Sequence, residues 1–302
     1  MASLAMVLAS CGVAVAQDEI SLTPLDMFDE AFDFDDPEAP VPRFKKQAIQ
    51  KVSLAGGVLL ATDDDDLNKS FLEASVTTGI PLGSFERILG ITPSFRVDAI
   101  DAAAQFDVPD QLYETGVQFF YRQPLNERWQ FLGIVSPANR SDWTTDDKAF
   151  RVFGLGLFIW DWVPDCLSVS LGAVYLDRAD LPTLPAVGLV WTPRPDRRLE
   201  LQFPRSRFGI RLAKDGGRSE TWAYGLAGIG GNTWAVTRAD DRSDELSLKE
   251  TQLLLGVEKI VAGGGGWFAE LGYVVGRQIE YESDDSEIPL SDAVMISGGW
   301  AY

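Results

Sequence analysis

The last eleven residues of the chain, 292–302, alternate with a period of two between large apolar side chains and small or polar ones. Val294, Ile296, Trp300 and Tyr302 fall on one face, and only Gly298 interrupts that row. The residues that fall on the other face are Ala293, Met295, Ser297, Gly299 and Ala301. Alternation of this kind predicts a β-strand with one face in an apolar environment, and its closing aromatic pair is suited to an apolar–water boundary.

The same period recurs along the chain from residue 50 onward, in short segments that are separated by turn-forming residues. In residues 206–214, for example, the apolar side chains occupy alternate positions and the arginines and glycine occupy the others. The predicted strands are 50–61, 70–79, 89–100, 111–122, 128–137, 149–160, 166–176, 185–193, 197–203, 206–214, 221–238, 246–260, 266–281 and 292–302. The sequence therefore predicts an all-β fold.

Composition is compatible with two classes of all-β protein, the transmembrane β-barrel and the β-sandwich. The 302 residues are 46% hydrophobic, and no apolar run of about 20 residues, as a membrane-spanning helix would need, follows the N-terminus. A transmembrane β-barrel has this composition because half of each strand faces a polar interior. A β-sandwich shows the same alternation with its apolar face turned inward. Periodicity alone leaves both folds open.

The connections between the predicted strands fall into two sets that differ in charge and length. The first set is 63–66, 101–110, 139–148, 177–182, 204–205, 240–245 and 282–292, and its summed charge is strongly negative. The second set is 81–87, 123–128, 161–165, 193–198, 215–219 and 261–265, and its summed charge is close to zero. An outer-membrane barrel has longer external loops and shorter periplasmic turns, whereas a sandwich has no reason to sort charge in this way.

Tryptophan placement also favours a barrel. The aromatic residues near strand ends on the side of the short connections are Trp129, Trp160, Trp162, Trp191, Trp222, Trp267, Trp300 and Tyr302, joined by Tyr121. Amphipathic rings concentrate where a membrane meets water, so we predict that these residues lie at the membrane interface. The alternative is that they cap the core of a sandwich.

These observations together predict an antiparallel transmembrane β-barrel of about 14 strands, with 12 as the alternative count. Residues 184–196 (LPAVGLVWTPRPD) and 199–204 (LELQFP) look like a hairpin of a bacterial outer-membrane β-barrel family that is a domain of unknown function. The ending at Tyr302 resembles the C-terminal assembly signal of such barrels. The resemblance implies the bacterial outer membrane as location, with membrane lipid and the barrel assembly machinery as partners, and it implies no activity.

The N-terminal region is predicted to lie outside the barrel. Residues 1–16 are interpreted as a signal peptide that is cleaved after Ala16, and the alternative is a lipobox with Cys11 acylated. Residues 17–49 are predicted to form an acidic, irregular periplasmic tail, and residues 50–302 the barrel. The tail is either a solvated linker or a plug for the lumen. The second hypothesis rests on five apolar side chains, which are Leu25, Met27, Phe28, Phe32 and Phe34.

The sequence lacks the residues that several kinds of chemistry require. It contains no histidine, so the His-dependent mechanisms of outer-membrane proteases and phospholipases do not apply in their usual form. The acidic run 63–66 lacks the glycine and downstream glutamate of a calcium loop, and the glycine run 261–266 is not a phosphate loop. A net charge of −19 argues against a nucleic-acid partner. We therefore expect no catalytic residues, no metal site and no cofactor, and we expect that the protein is not an enzyme.

The polar residues predicted to face the barrel interior are the remaining candidates for a functional site. As pore-lining residues we predict Glu73, Arg96, Glu114, Arg151, Glu200, Arg207, Arg211, Glu258 and Glu270. Charges on the lipid face would be costly, so these side chains should point inward and pair with one another. Three functions fit: a porin-like channel for small solutes, a non-conducting structural or adhesive surface barrel, and a soluble periplasmic β-protein.

Overall fold

The computed structural model describes residues 34–45, 47–63, 66–83, 87–175, 183–283 and 286–302. These residues form sixteen strands and one turn of 3₁₀ helix, Ala104–Phe106. The strands are β1 (Ile49–Ala61), β2 (Asn68–Pro81), β3 (Ile88–Asp101), β4 (Gln111–Pro124), β5 (Trp129–Ser141), β6 (Phe150–Val163), β7 (Leu167–Tyr175), β8 (Thr183–Arg194), β9 (Arg197–Gln202), β10 (Arg205–Asp215), β11 (Ser219–Gly230), β12 (Thr233–Thr237), β13 (Ser243–Val261), β14 (Gly265–Tyr281), β15 (Ser286–Pro289) and β16 (Ala293–Ala301). Within this part of the chain, no helix is long and apolar enough to span a membrane.

Fourteen of the strands close into an antiparallel barrel, which confirms the predicted fold class and strand number. Neighbours in sequence are neighbours in the wall from β1 to β11, and β13, β14 and β16 complete the circuit. The ring closes where β16 pairs with β1, for example at Leu54↔Trp300 and Val58↔Ile296. Closure leaves the ring without a terminal edge strand, which is the condition for a β-structure to span a bilayer.

The barrel has two distinct ends. We call the end with the connections 81–87, 123–128, 161–165, 194–197, 215–219 and 261–265 the turn end, and the opposite end the loop end. The two remaining strands, β12 and β15, are both at the loop end. Residues 221–238, predicted as a single strand, belong to two strands, β11 and β12. The chain bends between them at Gly231, whose φ of 106° is in the left-handed region.

The outer surface of the wall is apolar, and the alternation predicted from the sequence is what produces it. Along β16, Ile296 and Trp300 are half exposed, whereas Met295 and Ser297 on the other face are buried. The same holds around the wall. Exposed apolar residues of the central belt include Leu72, Phe119, Val135, Phe158, Leu171, Val187, Leu201, Phe208, Leu255 and Leu271. A continuous belt of this kind is not stable in water, so the wall is suited to a bilayer.

Candidate functional site

Charged side chains line the interior of the barrel, where strand alternation directs them. On the β2–β5 wall, Arg96 binds Asp98 through two hydrogen bonds of 2.7 and 2.8 Å, and it lies 3.5 Å from Glu73. Arg140 lies 3.0 Å from Glu114 on the adjacent strand. Asp98 has no exposed surface. A buried arginine retains its charge when carboxylates surround it in this way.

A second interior cluster lies on the opposite wall. Arg207 of β10 binds Glu258 of β13, and its guanidinium lies 3.7 Å from the centroid of the Tyr224 ring. The hydroxyl of Tyr224 donates to Glu270 at 2.8 Å, and Ser297 donates to the same carboxylate at 2.7 Å. The cluster therefore ties β10, β11, β13, β14 and β16 together across the interior.

The structure places the nine predicted pore-lining residues in several groups. Glu73, Arg96 and Glu114 belong to the first cluster, and Arg207, Glu258 and Glu270 belong to the second. Glu200 lies 2.5 Å from Arg198 on the same strand. Arg211 lies 3.9 Å from Glu220 near the turn end, and Arg151 binds Glu245 at the loop end. Whether any of them lines a pore stays a prediction, because the interior is not open along its length.

The middle of the interior is filled by side chains. Leu59, Leu254, Val274, Ala293 and Met295 form an apolar cluster that Phe71 and Leu226 extend. Nearby polar side chains are also buried, with Glu250 and Gln252 each less than one tenth exposed. A water-filled channel would expose such residues to solvent. A ring of 14 strands is wide enough to enclose a channel, so the occlusion comes from the side chains and the ends.

The loop end is sealed by an apolar core that we call the cap. Its buried residues are Leu67, Ile100, Phe106, Leu112, Trp234, Val236, Leu246, Leu248, Ile279 and Tyr281. Trp234 is 1% exposed, and Val236, Leu246 and Tyr281 have no exposed surface. The strands β12–β15 form a sheet extension whose apolar side packs against the loops of β1–β4. The connections predicted to be external loops therefore close the barrel mouth.

Polar contacts hold the cap on one side through the loop 101–110. Arg238 donates to Asp107 at 2.6 Å and to Asp244 at 3.1 Å, and its guanidinium stacks 3.7 Å from the Tyr281 ring centroid. Burial acts to raise the pKa of Asp244, but hydrogen bonds from Ser283 and the amide of Glu245 outweigh it and lower the pKa. The pKa of Asp66 is also lowered, because amide hydrogen bonds from Ser291 and Leu67 outweigh the effect of burial.

On its far side the cap reaches β5. Ala235 of β12 forms a parallel bridge with Ser141, and the Asp142 amide donates to the Ala235 carbonyl at 3.1 Å. The Thr237 amide donates to the Asp142 carboxylate at 2.8 Å. In the wall, five strands, β6 to β10, separate β11 from β5, so β12, which continues from β11 and contacts β5, crosses the mouth.

The described part of the N-terminal tail lies against the turn end. The Gly217 amide donates to the Phe34 carbonyl at 3.1 Å, and the Gly263 amide donates to the Pro42 carbonyl at 2.7 Å. Arg43 lies 2.9 Å from Glu220, an interior residue, and Val41 is 5% exposed. Residues 34–45 are therefore packed against the barrel. Leu25, Met27, Phe28 and Phe32, on which the plug hypothesis was based, lie outside the described residues.

The aromatic residues at the turn end lie on the outer surface, with one exception. Trp129, Trp160 and Trp162 stack in a row with centroid separations of 5.7 and 5.6 Å. Trp191, Trp267, Trp300 and Tyr302 are each at least 44% exposed. The prediction for Trp222 is wrong, because this residue shares the interior face with Tyr224 and packs over Gly209 and Arg211. Proximity to a strand end predicted its height in the barrel but not its face.

Several interior residues that matter were missed by the sequence prediction. They are Asp98, Arg140, Tyr224, Glu220 and Arg205. Each lies an even number of positions from another inward-facing residue of its strand, so strict alternation could have found them.

Among the described residues no group of acidic or cysteine side chains is arranged to hold a metal ion. A polar surface pocket of about 250 Å³ lies on the cap, between Lys148 and Ser283.

Comparisons with known proteins place the chain in a family and give distant structural likenesses. The family model described as Domain of unknown function (DUF6268) matches residues 98–286. No curated protein matches the sequence. Among solved structures, the beta domain of the Bordetella autotransporter BrkA is 10% identical, with a TM-score of 0.38, covering 85% of this chain and 99% of that one.

Two further solved structures are similar at the same low level. The TodX monoaromatic hydrocarbon channel, as a deltaS2 mutant, is 8% identical with a TM-score of 0.35, covering 88% of this chain and 91% of that one. OprB of Pseudomonas putida is 10% identical with a TM-score of 0.30, covering 83% and 91%. Likenesses at this level do not assign a function.

Proposed function

The chain belongs to the family Domain of unknown function (DUF6268), and from that premise we propose that it is an outer-membrane β-barrel that is closed along its axis. The cap is the observation that carries the proposal. Its core is as buried as the interior of a soluble domain, and it covers the mouth that an open diffusion pore would leave to solvent. The proposed role is a non-conducting surface barrel that presents its acidic loop end outside the cell.

The bilayer location is supported by three features of the wall. The circuit is closed, its central belt is apolar and exposed, and aromatic side chains gather on the outside near the turn end. We propose outer-membrane lipid as the partner of this belt. We also propose that the barrel assembly machinery recognises β16, whose pairing with β1 closes the wall. A soluble periplasmic protein would not expose Leu255 at 73% and Val187 at 61%.

A gated, porin-like channel for small solutes is the second candidate. The observation that favours it is the limited attachment of β12 to β5, where the described chain has one bridging residue pair, Ala235↔Ser141, and a few hydrogen bonds that join Asp142 and Thr144 to β12. If the cap swings away from β5, the mouth opens above an interior whose walls carry paired charges. Solute passage would then depend on a signal that moves the cap.

Liposome swelling tests whether the barrel is closed along its axis in the absence of a gating signal. Purified protein is reconstituted at known density, and uptake of a small sugar is compared with that of protein-free liposomes. The proposed closed barrel gives the protein-free rate, whereas an open porin gives rapid swelling. The bilayer location is tested separately by cell fractionation and by a mobility shift between boiled and unboiled samples on gels. Recovery in the soluble periplasmic fraction without a mobility shift would contradict it.

A further inference from the structure

The wall of the barrel has a notch above the hairpin of β9 and β10. β9 is only six residues long, and its pairing with β8 ends at Gly188↔Gln202. Beyond that pair, residues 183–187 of β8 continue toward the loop end and pair with β7, ending at Tyr175↔Thr183. No strand in the described part of the chain lies along their other edge.

The opposite side of the notch is formed by β11 and β12. β10 begins at Arg205, which pairs with Gly228, and β11 ends two residues later at Gly230. The chain then leaves the wall as β12 and crosses the mouth. Above the tip of the β9–β10 hairpin, β8 and β11 are separated by three strand spacings, which is roughly 14 Å at about 4.8 Å per spacing.

The notch lies at the depth of the membrane interior. At about 3.3 Å per residue and a tilt of about 40°, the six residues of β9 place the hairpin tip roughly 15 Å above the turn end and the 11 residues of β10 place it roughly 28 Å above it, both within the thickness of a bilayer core. A free sheet edge facing lipid is costly at that depth unless it borders a cavity. Pro185 of β8 fits such an edge, because proline lacks an amide hydrogen and is confined to edge strands and bulges.

Apolar surfaces lie on both sides of the notch. Outside, a groove of about 420 Å³ runs over Gly225 and Ala227 of β11, between Phe208 on one side and Leu253 and Leu255 on the other. Inside, Leu226 and Leu254 belong to the apolar cluster at the centre of the barrel. An apolar chain can therefore remain in contact with apolar side chains as it passes from the bilayer to the interior.

A cation lies at the lower rim of the notch. Arg205, the first residue of β10, donates to the side-chain oxygen of Gln252 at 2.8 Å. Among the described residues no carboxylate lies within ion-pair distance of its guanidinium, in contrast to Arg96 and Arg207. Glu270 and Glu250 act on this guanidinium only from beyond ion-pair distance, and its planar fork, which suits a carboxylate, binds a neutral amide.

We propose that the notch is a lateral portal through which single-chain amphiphiles with a carboxylate head enter the closed barrel from the bilayer. The acyl chain occupies the groove over Gly225, and the carboxylate binds Arg205. This inference rests on the proposed bilayer location. It is compatible with axial closure because the cap blocks the mouth, whereas no described strand fills the wall between β8 and β11 above the hairpin.

Two alanines with the same exposure make a matched test of the portal. Ala186 and Ala138 both point inward and are both 7% exposed. Ala186 pairs with Gly172 on one side and borders the notch on the other. Ala138 is paired on both sides, with Gly116 and with Arg151. Each is replaced by cysteine in a Cys11→Ser, Cys166→Ser background, and Val187→Cys, which faces outward, reports on the bilayer.

Labelling rates in liposomes are measured with an N-alkylmaleimide that partitions into the bilayer and with a sulfonated maleimide that does not. We expect the lipophilic reagent to label Ala186→Cys at least tenfold faster than Ala138→Cys. Equal rates for the two would overturn the portal. Val187→Cys should react with the lipophilic reagent only. If it reacts readily with the sulfonated one, the bilayer location itself is wrong, and the two failures are thereby distinguished.

Protection from labelling tests the ligand class. A long-chain fatty acid at neutral pH should slow labelling of Ala186→Cys at least fivefold more than the alcohol of the same chain length. Arg205→Gln should remove that difference while leaving protection by the alcohol unchanged. If the acid and the alcohol protect Ala186→Cys equally while Arg205 is unchanged, the assignment of the carboxylate to Arg205 is overturned.

Discussion

Ala235 and Ser141 form a parallel bridge between β12 and β5, in a barrel whose wall is otherwise antiparallel. The bridge spans the mouth, because β12 continues from β11 and β5 belongs to a distant part of the wall. The bridge positions Trp234 and Val236 of β12 above the interior, where they belong to the core of the cap. Closure of the loop end is therefore a packing interaction that is separate from closure of the wall.

Trp234→Ala should open the loop end without unfolding the barrel. Removing a buried tryptophan costs about 3–5 kcal/mol, and here the loss falls on the cap because Trp234 contacts the cap core. We expect Val236→Cys, whose parent residue has no exposed surface, to become reactive to a sulfonated maleimide in this background while the heat-dependent gel mobility is kept. Trp191→Ala, which changes an exposed residue on the outer surface, is the control and should leave Val236→Cys unreactive. Equal behaviour of the two variants would contradict the role of the cap.

Acid should loosen the cap. The pKa values of Asp66 and Asp244 are lowered in the folded protein. Their contribution to stability is therefore present above the unfolded value of about 3.9 and is lost as the pH falls through the folded values. The ¹⁹F resonance of fluorinated Trp234, assigned with Trp234→Phe, should change below about pH 4.

The control for the acid prediction is the double variant Asp66→Asn, Asp244→Asn. It lacks both titrating groups, so its cap should already be looser at pH 7, and its resonance should vary less between pH 7 and pH 3. A Trp234 signal in the unaltered protein that is independent of pH over this range, with the barrel folded, would show that the two carboxylates do not hold the cap.

The Arg207–Glu258 pair should stabilise the barrel through mutual charge compensation. Arg207→Gln removes the ion pair with Glu258 and also the stacking on Tyr224. Breaking one partner of a buried pair costs about 3–5 kcal/mol, and replacing both costs less. Urea unfolding in lipid vesicles should therefore rank the variants as unaltered protein, double variant with Glu258→Gln, then Arg207→Gln. A double variant less stable than either single variant would contradict this order.

The loop end should face the outside of the cell. A peptide tag inserted between Asp240 and Asp241, exposed at the tip of the connection from β12 to β13, should bind antibody on intact cells. A tag at Gly83 of the turn end, where an added side-chain atom would meet nothing within 4 Å, should bind antibody only after the outer membrane is permeabilised. The reverse pattern would invert the proposed orientation.

The wall was predictable from the sequence because a strand of period two specifies its own faces. The pattern at 292–302 and at 206–214 gave the correct face for each residue from Ala293 to Ala301 and from Arg207 to Leu212. Pairing of neighbouring strands then follows from short connections. The number of strands followed as well, because the turn residues separate the segments.

The cap was not predictable in the same way. It depends on which long connections pack on one another, and residues such as Leu67, Phe106 and Trp234 are far apart in sequence. The acidic charge of the loops suggested solvated external segments, whereas the apolar residues between those charges form a core. The notch was also missed, because the short connection predicted at 204–205 indicated a tight turn but not its height in the wall.

Single-channel recording in planar bilayers tests axial closure most directly. With purified protein whose insertion is verified by the heat-dependent gel mobility, the unaltered protein should give no sustained conductance steps at neutral pH. The same result is expected for Trp234→Ala, because the apolar cluster around Leu254 still fills the middle of the interior. Stable, long-lived openings of the unaltered protein would contradict the account of a barrel closed along its axis.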